Sequence, residues 1–165
     1  MATTHLKGTP VSTLGELPSK GQAAPDFKLV QSDLSELSLG DLKGKRVILN
    51  TYPSVDTGVC ALQTKTFSQK LAGDDNTVLI FASMDLPFAF GRFCGAEGID
   101  NALTASDFRH GSMDAYGVKM TDGPLAGLFA RSVLVLDENH QIVHSELVED
   151  ITSEPDYDAA MAALG

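Results

Sequence analysis

RVILNTYPSVDTGVCALQTKTFSQKLAG, residues 46–73, followed by TVLIFASM, residues 77–84, is the stretch that decides the fold. RVILNTYP is a β-branched and apolar run that ends at Pro53, the pattern of a buried central strand. After the turn SVDTG, the residues Cys60, Thr64, Phe67 and Leu71 recur at i, i+4, i+7 and i+11, which is one face of a helix. Gly73 supplies a helix-stop signal, and TVLIFASM repeats the buried-strand pattern. Strand, helix, strand within so short a stretch is a βαβ unit, normally right-handed with its two strands parallel.

Working outward, the N-terminal stretch to Gly21 contains the turn signal KGTP, which predicts a small β-hairpin. DFKLV and ELSLGDLKGKR lead into the central strand. Downstream, a helix is expected after Pro87, but Gly91, Gly95 and Gly98 fall within it, each costing about 1 kcal/mol relative to Ala in a helix interior. RSVLVLDENHQIVHSELV reads as two strands joined by the polar turn DENH, an antiparallel hairpin. EPDYDAAMAAL closes as a helix with Glu154 and Asp156 near its positive end. The order is βαβ, a variable middle, then ββα. An α/β architecture, a mixed sheet with helices on both faces, satisfies it.

A length of 165 residues suits one domain spanning 1–165. With 43% hydrophobic and 21% charged residues the chain is neither disordered nor fibrous. A formal charge of -10 without a basic stripe argues against nucleic acid as a partner. No apolar run reaches the ~18 residues a membrane helix needs. The start MATTHLKGTPVSTLG lacks the features of a secretory signal, so the expected location is cytoplasmic. In that reducing compartment the two cysteines are read as catalytic, redox-sensing or buried, rather than as a permanent staple.

Cys60 occupies a special place. With Thr57 as N-cap, Gly58, Val59 and Cys60 are the first three helical residues, so the sulfur lies beside unpaired N–H groups at the positive end of the helix. Such a site favours an anion and hence the nucleophilic thiolate. The Thr57 hydroxyl is placed to hydrogen-bond the sulfur or an incoming oxygen, and Pro53 shapes the turn and removes a competing donor. Cys60 also shares a face with Phe67 and Leu71, so position alone leaves a small buried hydrophobe equally open.

Pro53, Thr57 and Cys60, spaced as PxxxTxxC in PSVDTGVC, resemble the active-site motif of the peroxiredoxins. DLPFAFGRFCGAEG, YGVKMTDGPLAGLFARSVLVLDE and EDITSEPDYDAA look like segments of the bacterial thiol peroxidases, the atypical two-cysteine peroxiredoxins. With the active-site motif, the likeness covers most of the chain from Pro25 onward. It implies a thioredoxin-like fold: a mixed central sheet flanked by helices, with an N-terminal β-hairpin. It also implies that Cys60 attacks hydrogen peroxide or an alkyl hydroperoxide to form a sulfenic acid. Cys94 would then resolve that acid as an intramolecular disulfide, and thioredoxin would reduce it. The same likeness points to a homodimer with no bound cofactor.

Physical need agrees with these roles. Displacing alkoxide from a peroxide requires a thiolate, a group that aligns the oxygens, and positive charge for the departing anion. The family's arginine corresponds to Arg131, at the start of a strand that can deliver its guanidinium to the Cys60 loop; a strand-end salt bridge is the plainer alternative. Cys94 is either the resolver or a packed thiol beside Phe93. With both cysteines read as near the starts of different helices, the glycine-rich helix around Cys94 is expected to unwind locally for the sulfurs to meet.

Other features receive plainer readings. His140 and His144 are expected as solvated side chains on one face of a strand, and His5 and His110 as isolated. Asp56, Glu149 and Asp150 are read as surface acids, and Phe88, Phe90 and Phe93 as packing residues. A thioredoxin-type oxidoreductase would want CxxC where this chain has TGVC. A non-enzymatic binding module with structural cysteines is the other competing class.

Overall fold

Residues 2–165 are described in the computed structural model of the protein, and the βαβ unit lies at its centre. The strands are β1 (Thr3–Leu6), β2 (Thr9–Ser12), β3 (Lys28–Gln31), β4 (Glu36–Ser38), β5 (Arg46–Thr51), β6 (Thr77–Ser83), β7 (Ala102–Ser106), β8 (Ser132–Leu136) and β9 (Ile142–Leu147). The α-helices are α1 (Gly58–Lys70), α2 (Pro87–Glu97) and α3 (Tyr157–Ala163). β1 and β2 form the predicted hairpin, while the other strands make a seven-stranded mixed sheet in the order β4-β3-β7-β6-β5-β8-β9. β5 pairs parallel with β6, with Ile48 opposite Leu79, and antiparallel with β8.

Alternation along the central strands divides the core. Ile48, Leu79, Phe81, Val133 and Val135 point to one face, where Cys60 and Phe67 of α1, Phe90 and Phe93 of α2, and Ala160 of α3 cover them. Val47, Leu49, Ile80, Ala82, Leu134 and Leu136 point to the other. There the expectation of helices on both faces needs correction, since all three α-helices pack on the first. The second face is covered by single 3-10 turns, Leu39–Leu42 and Ser112–Tyr116, with Phe27, Val118 and Phe129 from the connecting segments. Close approach helps this cover fit: a Cβ on Gly117, at φ +69°, would meet the Gly15 carbonyl carbon at 2.6 Å.

Several local readings change. The variable middle holds a strand, β7, completed by parallel pairing with β6 and antiparallel pairing with β3. The glycine count against α2 falls to two, because Gly98 is its left-handed C-cap at φ 67°, donating to the Cys94 carbonyl. Cys94 therefore lies in the second half of α2, not near its start. Phe90 and Phe93 are buried, but Phe88 is 66% exposed, because a residue one position after Pro87 falls off the stripe made by Pro87, Phe90 and Phe93.

His140 sits in the hairpin turn at positive φ, with Nε2 2.9 Å from the Leu42 carbonyl oxygen, rather than solvated on the strand. His144 is on β9, half-buried, and its Nε2 has no partner among the described residues. His110 contacts Glu36, which also pairs with Arg109, and His5 Nδ1 lies 3.2 Å from the Glu149 carbonyl oxygen. Neither is isolated. No described helix is long and apolar enough to cross a membrane.

Candidate active site

β5 ends at Thr51, and Tyr52 and Pro53 carry the chain into the loop that precedes α1. Thr57 is the N-cap, with extended backbone at φ -94° and ψ 150°. Its carbonyl accepts the first helical bond, from Ala61 N at 2.9 Å, which leaves the N–H groups of Gly58, Val59 and Cys60 ahead of the intrahelical ladder. Cys60 is thus at the position predicted for it. The Thr57 side chain does not cap the helix; its hydroxyl donates to the Ser54 carbonyl at 3.0 Å. Because that proton is committed, the Thr57 oxygen faces an incoming group as an acceptor.

A cavity of about 450 Å³ opens beside this turn. Pro53, Thr57, Gly58 and Val59 line one side, and Leu125, Leu128 and Ile151 another. Arg131 reaches the same cavity, and Leu6 and Lys7 of the N-terminal hairpin also line it. Cys60 itself is fully buried and does not line the cavity, although its neighbours Thr57, Gly58 and Val59 do.

Arg131 is 1% exposed and is not the salt-bridging residue of the plainer reading. Its Nε and one terminal nitrogen donate to the Ile151 carbonyl at 3.0 and 2.8 Å, and the other donates to Gln63 Oε1 at 2.9 Å. Ile151 is in turn fixed by the hairpin, since its N–H donates to the His5 carbonyl at 2.8 Å. Asp150 ties the hairpin turn down, accepting from Gly8 N at 2.9 Å and from the Thr152 hydroxyl at 2.6 Å, and these bonds hold its carboxyl well below the usual range. The surface-acid reading of Asp150 thus missed a tie that bears on the site.

Two more polar groups escaped the sequence reading. Asp85, just after β6, accepts from the Ser54 hydroxyl at 2.6 Å, from Val55 N at 2.8 Å and from the Ser83 hydroxyl at 2.6 Å. It clamps the loop before Cys60 to the connection that leads into α2. Tyr52 stacks on Phe81 and meets the Thr64 hydroxyl at 3.0 Å, while Thr64 donates to the Cys60 carbonyl at 2.9 Å. Burial pushes the Tyr52 phenol well above its ordinary range, and negative charge at Cys60, Asp85 or Cys94 would push it the same way.

Cys94 is half-buried against the cluster that holds Cys60, and both are free thiols. Burial pushes the Cys94 thiol up, partly offset by a hydrogen bond with the Thr104 side chain on β7. Asp56, read as a bystander, pairs with Arg92 of α2, and Lys65 of α1 pairs with Glu97 at 3.1 Å. The helix bearing the second cysteine is therefore held to the loop before α1 and to α1 itself by exposed ion pairs on either side of Cys94.

The chain resembles proteins with known names over nearly its full length. Residues 19–161 match the Redoxin family model. A thiol peroxidase of Corynebacterium glutamicum is 48% identical over 164 residues, covering 99% of each chain. One of Mycobacterium tuberculosis is 48% identical over 165 residues, covering 100% of this chain and 99% of that protein. Among solved structures, a peroxiredoxin-like protein from Aquifex aeolicus superposes with a TM-score of 0.93 at 39% identity, covering 99% of this chain and 96% of that one.

Proposed function

The chain belongs to the Redoxin family and is a peroxiredoxin-type thiol peroxidase, and on that premise we propose that Cys60 is its peroxidatic cysteine, Cys94 its resolver, and Pro53, Thr57 and Arg131 the residues that shape and activate the site. The observation that carries this reading is the meeting of Thr57, Arg131 and the start of α1 at one cavity beside Cys60.

In this reading a hydroperoxide enters the cavity with its terminal O–H donating to Thr57 Oγ1, which is free to accept. The Cys60 thiolate attacks that terminal oxygen in line with the O–O bond. A sulfur–oxygen bond forms, the O–O bond breaks, and the sulfur is oxidised to sulfenic acid as the peroxide is reduced to an alkoxide. The Arg131 guanidinium stabilises the departing anion, which takes a proton from water to become the alcohol, or water when the substrate is hydrogen peroxide. The Cys94 thiol then condenses with the sulfenic acid, releasing water and forming the disulfide. A dithiol of thioredoxin type restores both thiols by exchange. Apolar walls of Leu6, Leu125, Leu128 and Ile151 suit an alkyl chain as well as the smaller peroxide.

The chain is proposed to act as one domain, as a homodimer, in the cytoplasm where thioredoxin is kept reduced. Stopped-flow mixing with cumene hydroperoxide tests the site. Rapid oxidation of one thiol is expected, abolished in Cys60→Ser. In Cys94→Ser the first oxidation persists but thioredoxin-dependent turnover stops. Undiminished turnover in Cys60→Ser would overturn the assignment, and sedimentation at micromolar concentration tests the dimer.

A further inference from the structure

Tyr52 follows directly on β5 and is fully buried, its ring stacked on Phe81 of β6 with centroids 5.7 Å apart. It belongs to the cluster that holds Cys60, among Ile48, Val55, Phe67, Phe90 and Val133. Two hydroxyls interrupt these apolar surroundings. The Tyr52 hydroxyl meets Thr64 Oγ1 at 3.0 Å, and Thr64, also fully buried, meets the Cys60 carbonyl at 2.9 Å. The direction of this chain is fixed, because the carbonyl can only accept: the single Thr64 proton goes to it, and Tyr52 donates to Thr64.

A hydroxyl in apolar surroundings costs free energy unless it is hydrogen-bonded, and packing alone would be served by Phe and Val at these two positions. Here each is satisfied through the other, and the chain ends on the backbone of the residue that bears the sulfur. The end of β5 and the stack on Phe81 hold the tyrosine to the sheet, so its hydroxyl is a fixed point to which the first turn of α1 is tied. The phenol is also near enough to both sulfurs for charge on either to act on it. The tie thus lies close to the two groups that have to join. We infer that Tyr52 is a positioning residue that, through Thr64, keeps the first turn of α1 wound around Cys60, so that this sulfur holds its place for the peroxide and Cys94 makes the approach. The inference rests on the proposed roles of Cys60 and Cys94. Loosening the tie works against the first step and favours the second, since a fluctuating turn holds the sulfur less well for in-line attack but lets it travel toward α2.

The test uses Y52F, T64V and the double variant Y52F/T64V in the full-length chain. Rapid quenching after mixing with cumene hydroperoxide gives two rates: oxidation of Cys60, measured in a Cys94→Ser background, and disulfide formation from the sulfenic acid, measured with both cysteines present. Y52F is expected to slow the first and speed the second, each about fivefold, the kinetic equivalent of one hydrogen bond, and to quicken hydrogen exchange at 61–64. T64V strands the Tyr52 hydroxyl without a partner, so it should move both rates as Y52F does and also unfold at lower denaturant. In Y52F/T64V no hydroxyl is stranded, so stability should recover toward that of Y52F while the opposed rate changes persist. Unaltered rates in Y52F and the double variant would overturn the inference. So would two rates that fall together, or rates that recover along with stability, either of which would mark a purely structural role. Should T64V fail to fold, the other two variants decide alone. If peroxide leaves Cys60 of the unaltered protein unoxidised, the underlying assignment of the cysteines fails instead.

Discussion

α1 and α2 lie on the same face of the sheet, feed the same hydrophobic cluster and carry one cysteine each, yet they are held in opposite ways. α1 buries Cys60, Gln63, Thr64 and Phe67, and its buried polar side chains are satisfied by hydrogen bonds inside the protein, to Asn50, Arg131, Tyr52 and the Cys60 carbonyl. α2 buries only Pro87, Phe90 and Phe93, carries two interior glycines, and is joined to its surroundings by the exposed pairs Asp56–Arg92 and Lys65–Glu97. Interior packing and amide networks resist small displacements, whereas exposed ion pairs each contribute under about 1 kcal/mol and weaken with salt. In the proposed reading, one helix keeps its sulfur still and the other releases its own.

The sharpest break in this comparison comes from the aromatic anchors. Phe67 meets the Tyr157 ring edge-on at 5.0 Å, and Phe67→Ala should lower global stability by about 3–5 kcal/mol in denaturant unfolding. Phe93→Ala should lower it less while speeding disulfide formation after one equivalent of peroxide. Slower disulfide formation in that variant would show that α2 does not open on the way to the disulfide.

Glycine replacement should act in the other direction. A Cβ at Gly95 meets nothing within 4 Å and one at Gly91 only the Ser32 side chain at 3.6 Å, so each change to Ala should stabilise α2 by about 1 kcal/mol. Hydrogen exchange, expected to be faster at 88–98 than at 61–71, should slow in α2. Disulfide formation should slow about fivefold per substitution, leaving Cys60 longer as sulfenic acid and more open to over-oxidation. Equal protection of both helices in the unaltered protein would remove the basis of the contrast.

Smaller effects belong to acid–base and ionic conditions. Because burial pushes the Cys94 thiol up, disulfide formation should accelerate as pH rises from neutrality toward the ordinary thiol range, with mass spectrometry of quenched samples as the readout. Arg92→Gln, or raised salt, should speed disulfide formation by about twofold to fivefold, in keeping with exposed pairs. A rate indifferent to both would leave Asp56–Arg92 as surface decoration.

The sequence was most legible where chemistry and periodicity coincide. Cys60, Thr57 and the strand on either side of α1 lie within a short stretch whose local rules agree, so the helix start was readable to the residue. β7 was not, because ALTAS is short and built of small residues; it becomes a strand through pairing with β6 and β3, which local sequence does not encode. Gln63 and Asn50 gave only a weak signal, a polar residue interrupting an apolar run, and their partners are far away in the chain. Asp56 looked like a surface acid, and Asp85 drew no reading, for the same reason. The αL glycine at 98 was visible, but as a penalty within a helix rather than as its end.

The N-terminal hairpin gives the site an order of assembly. Thr4 bonds to the Val148 carbonyl across 144 positions of chain, and His5 fixes the Ile151 N–H whose own carbonyl anchors Arg131. Closing so long a loop is entropically unfavourable until most of the sheet exists to receive it. On a ribosome, the βαβ unit bearing Cys60 emerges long before residue 151, so the nascent chain carries its proposed nucleophile without the anchored Arg131. If Arg131 acts as proposed, the reactive centre is completed only when the two distant segments of the chain clasp, which would tie peroxidase competence to full-length synthesis.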